Sequence, residues 1–326
     1  MYNVSVSPHV RDKSSTKAIM RDVAIALVPT LGYGVYHYWK DYGAWPLMLI
    51  LISVASCVAF EAVFEYLTKR PITVFDYSAV VTGLILAVNL PPGAAWFMPV
   101  LGAAFGIIAA KMLFGGLGQN FMNPALAGRC FLMISFTQRM TNFAVDATSA
   151  ATPLAQMKGL ATPDKMPLLD LFLGNHNGCI GEISALCILI GGAYLLIKKI
   201  ISPVIPCVYI ASTIAFIAII RLISGDDVTV NYLLAQLLSG GLLVGAFFMA
   251  TDYVTSPITF KGKIVFGLLI GLLTALFRTL GSTAEGVSYA IIIGNLLVPI
   301  IEKKTIASPF GCEKVMKIKA AKEESK

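Results

Sequence analysis

The chain has 326 residues, of which 57% are hydrophobic and only 13% are charged, and its mean hydropathy is +0.78. An average soluble domain carries about 25% charged residues, so this composition excludes a soluble globular enzyme and indicates several membrane spans. A net charge of +7 would suggest nucleic-acid binding in a soluble protein. Here the basic residues flank apolar runs instead, so we expect no nucleic-acid partner.

Ten apolar runs are long enough, or nearly so, to cross a hydrocarbon core about 30 Å thick. They lie at 21–38, 45–67, 78–90, 94–114, 119–135, 180–197, 203–222, 231–250, 263–280 and 286–301. The third, fifth and tenth runs are short, and Pro, Gly and Asn crowd their ends, as in broken or re-entrant helices that line a cavity. We therefore predict an all-α polytopic membrane protein with about ten transmembrane helices.

An internal repeat divides these runs into two groups. Three residues recur at equal spacing: Pro92, Gly106 and Gly116 correspond to Pro257, Gly271 and Gly281. Glycine is common in membrane helices, so chance similarity stays an alternative. Taken with ten spans, the repeat predicts two five-helix halves, residues 21–135 and 179–301, which are inverted relative to each other because five is odd. The polar loop 136–178 joins them.

The distribution of basic residues predicts the orientation. With ten spans and both termini on one side, 18 of the 25 Lys and Arg, Lys111 among them, lie on that side. Cytoplasmic loops carry the excess of Lys and Arg, so residues 1–20 and the basic tail 302–326 are expected in the cytoplasm and the loop 136–178 on the outer side of the membrane. Residues 2–21 are polar and charged, unlike a signal peptide.

Polar residues at three places could carry chemistry. In the outer loop, Asp146-Ala-Thr-Ser-Ala-Ala-Thr152-Pro combines hydroxyls and a carboxylate in an accessible turn, which is also what an ordinary loop looks like.

The six cysteines are scattered without a C-x-x-C pair, so we expect buried thiols and no metal site in this chain.

Two further motifs interrupt apolar runs. In the segment Gly115 to Arg129, glycines permit close backbone approach while Asn120 and Asn123 bring amides to a helix start, either as a ligand pocket or as helix caps. Arg129 lies well inside an apolar run, where it is expected to pair with an anion, either a flavin phosphate or a carboxylate such as Glu182. In the second motif Asp252, surrounded by hydroxyl residues, could bind a cation, cap amides or accept from a ring N–H.

Three other carboxylates leave alternatives open. Asp76 precedes the third run and is either a helix start or an ion-path residue, while Glu61 and Glu65 lie one turn apart as an interfacial pair.

With these motifs together, the chain resembles the NqrB/RnfD family, which contains the RnfD component of the Rnf ferredoxin:NAD oxidoreductase complex and the NqrB component of the sodium-pumping NADH:quinone oxidoreductase. The resemblance covers nearly the whole chain, including the segment from Glu285 to Asn295. It implies two inverted five-helix halves, FMN linked by a flavin transferase through its phosphate to Thr152, and noncovalent riboflavin by Asn120, Asn123 and Asp252. It also implies partners: cluster-bearing membrane subunits, an outer-face FMN subunit and a cytoplasmic NAD-side subunit.

The expected function is that of an electron-transfer subunit that catalyses nothing alone. The chain departs from the family pattern in two places, with Ala150 for the commonest glycine of the acceptor and Tyr253 where many relatives have proline. One alternative is the quinone-reducing paralogue, which usually has a longer extension than the roughly twenty residues before the first run here. The other is a flavin-free channel or transporter built on inverted repeats.

Overall fold

The computed structural model describes residues 15–71, 73–143, 152–159, 167–281 and 286–306, and these residues form helices and connecting turns without a β-strand. Each of the ten apolar runs contains a helix. The all-α prediction is therefore confirmed. The acceptor residues Asp146 to Ala151 lie outside the described part of the chain.

The helices follow one another in three groups. The first group holds α1 (Thr16–Tyr42), α2 (Trp45–Leu67), α3 (Ser78–Val88), α4 (Phe97–Ala104, continued as π-helix over Phe105–Met112) and α5 (Pro124–Ser135). Three short helices follow: α6 (Thr137–Met140), α7 (Pro153–Gly159) and α8 (Leu168–Leu173). The last group holds α9 (Ala185–Ile197), α10 (Val204–Ser224), α11 (Val230–Leu238), α12 (Leu242–Val244, continued as π-helix over Gly245–Met249), α13 (Phe260–Thr279) and α14 (Val287–Thr305).

By length and composition, four helices of the described chain can cross a membrane: α1, α2, α10 and α13. A fifth is obtained if α11 and α12 with its π-helical continuation, which meet at 60°, count as one bent span. Four shorter apolar helices, α3, α4 with its continuation, α5 and α9, pack among them. The number ten and the inverted repeat stay predictions.

The interrupted helices are not all those expected. Helices α3 and α5 are short as predicted, but α14 continues without interruption to Thr305. The sharpest break falls in the eighth run, where Gly240 and Gly241 both adopt positive φ, 72° and 65°. Only glycine takes such torsions at little steric cost, so this pair permits the bend. Arg278 of α13 donates to the carbonyls of Gln236, Ser239 and Gly240 and so satisfies the end of α11.

Close backbone contacts hold α4 against α5. A Cβ on Gly106 would lie 2.4 Å from the carbonyl oxygen of Pro124, and one on Gly128 would lie 2.4 Å from that of Gly102. Small residues of this kind let helices in a membrane approach closely enough for van der Waals packing to hold them. The contact fixes the position of Asn123, which immediately precedes α5.

Candidate functional site

One cavity opens between the two groups of long helices. Its wall includes the three residues that the sequence assigns to a noncovalent ligand, Asn120, Asn123 and Asp252, although more than a hundred positions separate Asn123 from Asp252. Apolar side chains such as Val81 and Ile85 of α3 line the rest.

Asn123 is the N-cap of α5 and also a contact between distant segments. Its Oδ1 accepts from the backbone N–H groups of Ala125 at 3.0 Å and Leu126 at 3.4 Å. Its Nδ2 donates to the carbonyl of Met249 at 3.4 Å. Asn123 therefore caps the helix and also lies in the cavity wall, because the capping hydrogen bonds fix its side chain where it faces Met249.

Asn120 behaves differently. It is 8% exposed, and its Oδ1 is buried without a hydrogen-bond partner among the described residues. Buried polar atoms are almost always paired, and an unpaired one in a cavity wall indicates a ligand, ion or water that would complete it. In the segment before Asn120, Gly115, Gly116 and Gly118 all adopt positive φ, which glycine takes at little steric cost.

Asp252 belongs to a hydrogen-bonded cluster that includes a residue of the last helix, α14. Its Oδ2 accepts from the Thr255 hydroxyl at 3.1 Å. Oriented to suit its neighbours, the Asn295 amide of α14 donates to the Thr255 carbonyl at 3.1 Å and accepts from the Asn123 N–H at 3.2 Å. Asn295 thus joins the two segments that carry Asn123 and Asp252.

Tyr253, which follows Asp252 directly, also lines the cavity. Its hydroxyl donates to the carbonyl of Ile200, just beyond the end of α9. The side chain therefore attaches the segment after Asp252 to the α9–α10 connection, in place of the fixed torsion that proline would give.

Lys111 was missed as a site residue, because it was counted with the cytoplasmic charges that set the orientation. It is 2% exposed, lies in the π-helical continuation of α4 and lines the cavity. Its Nζ donates to Glu61 Oε2 at 2.6 Å and to Ser78 Oγ at 2.7 Å. The only available signal was a lysine within an apolar run.

The other carboxylates have local partners. Glu61 and Glu65 are both buried within the protein, and their position at the membrane interface stays a prediction. Glu65 accepts from the N–H and hydroxyl of Thr73. Asp76 accepts from the Ser78 N–H at 2.7 Å, which is the helix-start role of the two that the sequence left open.

Arg129 is 4% exposed and reaches from α5 to the last helix. Its guanidinium donates to the Ser288 hydroxyl of α14 at 2.6 Å. Ser288 is a partner beyond those expected for this side chain, and pairing of Arg129 with Glu182 stays a prediction. The assignment of Arg129 to an FMN phosphate stays a prediction.

Thr152 lies apart from the cavity, half-buried at the start of α7, where its carbonyl accepts from the Gln156 N–H at 2.9 Å. Two following side chains, Leu154 and Met157, are buried in a small apolar cluster with residues of α8, α10, α11 and α13. A Cβ on Gly240 would meet Leu154 at 2.7 Å, so α7 packs at the break between α11 and α12.

Comparison with known proteins agrees with these features. A profile of the NQR2, RnfD, RnfE family matches residues 3–311. The chain belongs to this family.

Three relatives illustrate the similarity within the NQR2, RnfD, RnfE family. The D component of the Na(+)-translocating ferredoxin:NAD(+) oxidoreductase complex of Acetobacterium woodii is 48% identical, covering 96% of each chain. The D component of the proton-translocating ferredoxin:NAD(+) oxidoreductase complex of Clostridium ljungdahlii is 39% identical over 95% of this chain and 96% of its own. The D component of the ion-translocating oxidoreductase complex of Stutzerimonas stutzeri is 36% identical over 92% and 93%. The predicted family membership is confirmed.

Proposed function

We propose that this chain is the electron-transferring membrane subunit of an ion-translocating ferredoxin:NAD oxidoreductase complex. Similarity to the D component of such a complex, over 96% of both chains, supports this function. The observation that carries it is the cavity wall, where Asn120, Asn123 and Asp252 meet and the amide oxygen of Asn120 is left without a partner among the described residues. The chain catalyses nothing alone, because electrons must enter and leave through other subunits.

The chemical groups in the cavity wall suit riboflavin. An isoalloxazine ring has an imide N–H between two carbonyls on one edge and two apolar faces. The unpaired Asn120 Oδ1 and the Asp252 carboxylate can accept from that N–H, while Val81 and Ile85 lie against an apolar face. A bound flavin supplies the one- and two-electron chemistry, and the protein holds and orients it.

The second cofactor in this proposal is FMN, joined to Thr152 by a flavin transferase. Accessibility of the segment supports this, since Thr152 is half-buried and Gln156, one turn later, is exposed. Leu154 and Met157 anchor the segment to the helices, so the threonine is held rather than free to diffuse. The linkage would tether the cofactor without using any binding residue of the cavity.

The two sites lie toward opposite ends of one element. Leu154 packs at Gly240, just before α12, while Asp252 follows the end of its π-helical continuation. The eight residues Leu242–Met249 rise about 12 Å. Electrons thus pass from FMN at the outer face through riboflavin toward the cytoplasm. The proposed partners are cluster-bearing membrane subunits, an outer-face FMN subunit and a cytoplasmic NAD-side subunit.

The test is to remove the acceptor hydroxyl. Thr152→Val keeps the shape of the side chain, so the protein should insert into the membrane while the covalent flavin disappears from the denatured band and from the intact mass. Thr148→Val, which changes a neighbouring hydroxyl outside the described residues, is the matched control and should keep full label. If Thr152→Val kept its flavin, the acceptor would lie elsewhere.

Flavin content and turnover together separate the alternatives. A channel or transporter with inverted repeats would carry no flavin in the wild-type protein. The NqrB component of a sodium-pumping NADH:quinone oxidoreductase would carry flavin, but its complex would reduce a quinone rather than exchange electrons between ferredoxin and NAD. Turnover of the purified complex with each electron acceptor measures this difference.

A further inference from the structure

Lys111 and Glu61 form an ion pair in the interior of the helix bundle. They are 2% and 1% exposed, and Nζ lies 2.6 Å from Oε2. A charge buried at membrane depth is expensive unless it is paired, and residues of this kind are retained mainly where they act on a ligand, an ion or a proton. Neither Lys111 nor Glu61 has a role in the proposed binding of riboflavin or FMN.

The pair is oriented relative to the cavity. Lys111 lines the cavity, and Glu61 is not among the residues of its wall. Ser78, the second acceptor of the ammonium, also belongs to the wall. The positive end of the ion pair therefore lies at the cavity wall, and the negative end lies behind it.

Glu61 uses only one of its oxygens for this contact. Its Oε1 is buried and has no hydrogen-bond partner among the residues that the structure describes. If other groups donated hydrogen bonds to this carboxylate, its negative charge would be better stabilised and its attraction for the Lys111 ammonium would be weaker. Glu61 thus acts as a positioning residue, which holds the Lys111 ammonium at the cavity wall.

We propose that the Lys111 ammonium stabilises the negative charge that an electron brings to a ring bound in this cavity, and so raises the reduction potential of that ring. The proposal rests on the proposed function, since it requires a flavin in the cavity. The ring gains one electron from the neighbouring carrier and no proton, and Lys111 keeps its own proton throughout. The physical cause is that opposite charges attract strongly where water is excluded.

The test uses the purified complex with all its subunits. Lys111→Met removes the charge but keeps most of the volume, and its effect is read from a redox titration of the noncovalent flavin by absorbance and of its radical by electron paramagnetic resonance. We expect the one-electron-reduced form to become at least about tenfold less stable, which is a fall of about 59 mV for one electron. Lys111→Arg should restore the potential. The FMN on Thr152 should titrate as before.

A second variant keeps the test decisive if Lys111→Met leaves Glu61 unpaired and prevents assembly. Glu61→Gln combined with Lys111→Met removes both charges, and such neutral replacements of buried pairs usually fold. If either variant kept its full riboflavin and an unchanged potential, the proposed role of Lys111 would be overturned. The assignment of riboflavin to the cavity would not be affected. Absence of noncovalent flavin from the wild-type complex would overturn the cavity assignment and, with it, this inference.

Discussion

Single polar side chains connect distant segments around the cavity. Asn123 caps α5 and donates to Met249, while Asn295 joins the Asn123 backbone to Thr255, which in turn donates to Asp252. Buried networks of this kind are fully effective only when every member is satisfied. Asn120 also lines the cavity, and its amide oxygen has no hydrogen-bond partner among the described residues.

Loss of this network should weaken riboflavin binding without affecting the covalent label. A hydrogen bond to a charged group contributes about 1.5–3 kcal/mol, so Asp252→Ala should lower riboflavin affinity roughly 10- to 150-fold. Acid extraction of riboflavin from the purified protein measures this. Asn175→Ala, which alters an exposed amide outside the cavity, is the control. Full riboflavin occupancy in an Asn123→Ala, Asp252→Ala double variant would contradict the site.

His176, between α8 and α9, should make stability depend on pH. Burial lowers its pKa from 6.5 to about 4, and its Nδ1 has no hydrogen-bond partner among the described residues. The unfolded chain then binds a proton between pH 6.5 and 4 that the folded chain does not, so stability falls as pH falls through this window. The loss is on the order of 3 kcal/mol at about 1.4 kcal/mol per pKa unit.

His176→Gln removes the titration, so the fall in unfolding temperature between pH 7 and pH 4.5 should become smaller in this variant than in the wild type. An equal fall in both proteins would show that other groups are responsible.

At the scale of elements, the contact between α4 and α5 determines where the asparagine segment lies. A Cβ on Gly128 would approach the Gly102 carbonyl to 2.4 Å, so Gly128→Ala must push the two helices apart. Overpacking of this kind typically costs about 1–3 kcal/mol. We expect a lower thermal midpoint in detergent together with weaker riboflavin retention, since Asn123 immediately precedes α5.

The matched control is Gly32→Ala in α1, where a new Cβ meets nothing within 4 Å. Alanine favours a helix over glycine by up to about 1 kcal/mol, so this variant should be unchanged or slightly more stable. If Gly128→Ala behaved like Gly32→Ala, the close approach would not matter for the site.

For the whole molecule, the orientation in the membrane decides which side of the membrane the Thr152 segment faces. Gln156 and Lys303 are both exposed, the first beside Thr152 and the second near the end of α14. In a variant without the native thiols, Gln156→Cys should react with an impermeant reagent from outside the cell and Lys303→Cys only after the membrane is opened. Because Lys111 is buried, it no longer counts among the basic residues of the cytoplasmic loops. Those loops still carry most of the Lys and Arg without it. Equal access of both residues from the cytoplasm would contradict the ten-span arrangement and the outer-face position of Thr152.

The sequence alone determined the helical class, the position of a helix in every apolar run, the family and the candidate residues, since these depend on side chains that are near in sequence. Transfer of an apolar run into lipid requires its backbone to bond internally, which a helix achieves without reference to the rest of the chain. The paired Gly240 and Gly241 were a local signal of the break in the eighth run, but the polar ends of other runs drew the prediction elsewhere.

Only the tertiary structure decided which polar groups meet. Glu61 and Lys111 lie 50 positions apart, and Arg129 and Ser288 lie 159 apart, so no local pattern links them. Each of these side chains is compatible with several partners, and the choice depends on how α2, α4, α5 and α14 pack. Packing is fixed by close contacts such as those of Gly106 and Gly128, which act between helices and leave no periodic trace in either one. For that reason Lys111 reads as one more basic residue in the sequence and becomes part of the cavity only in the folded protein.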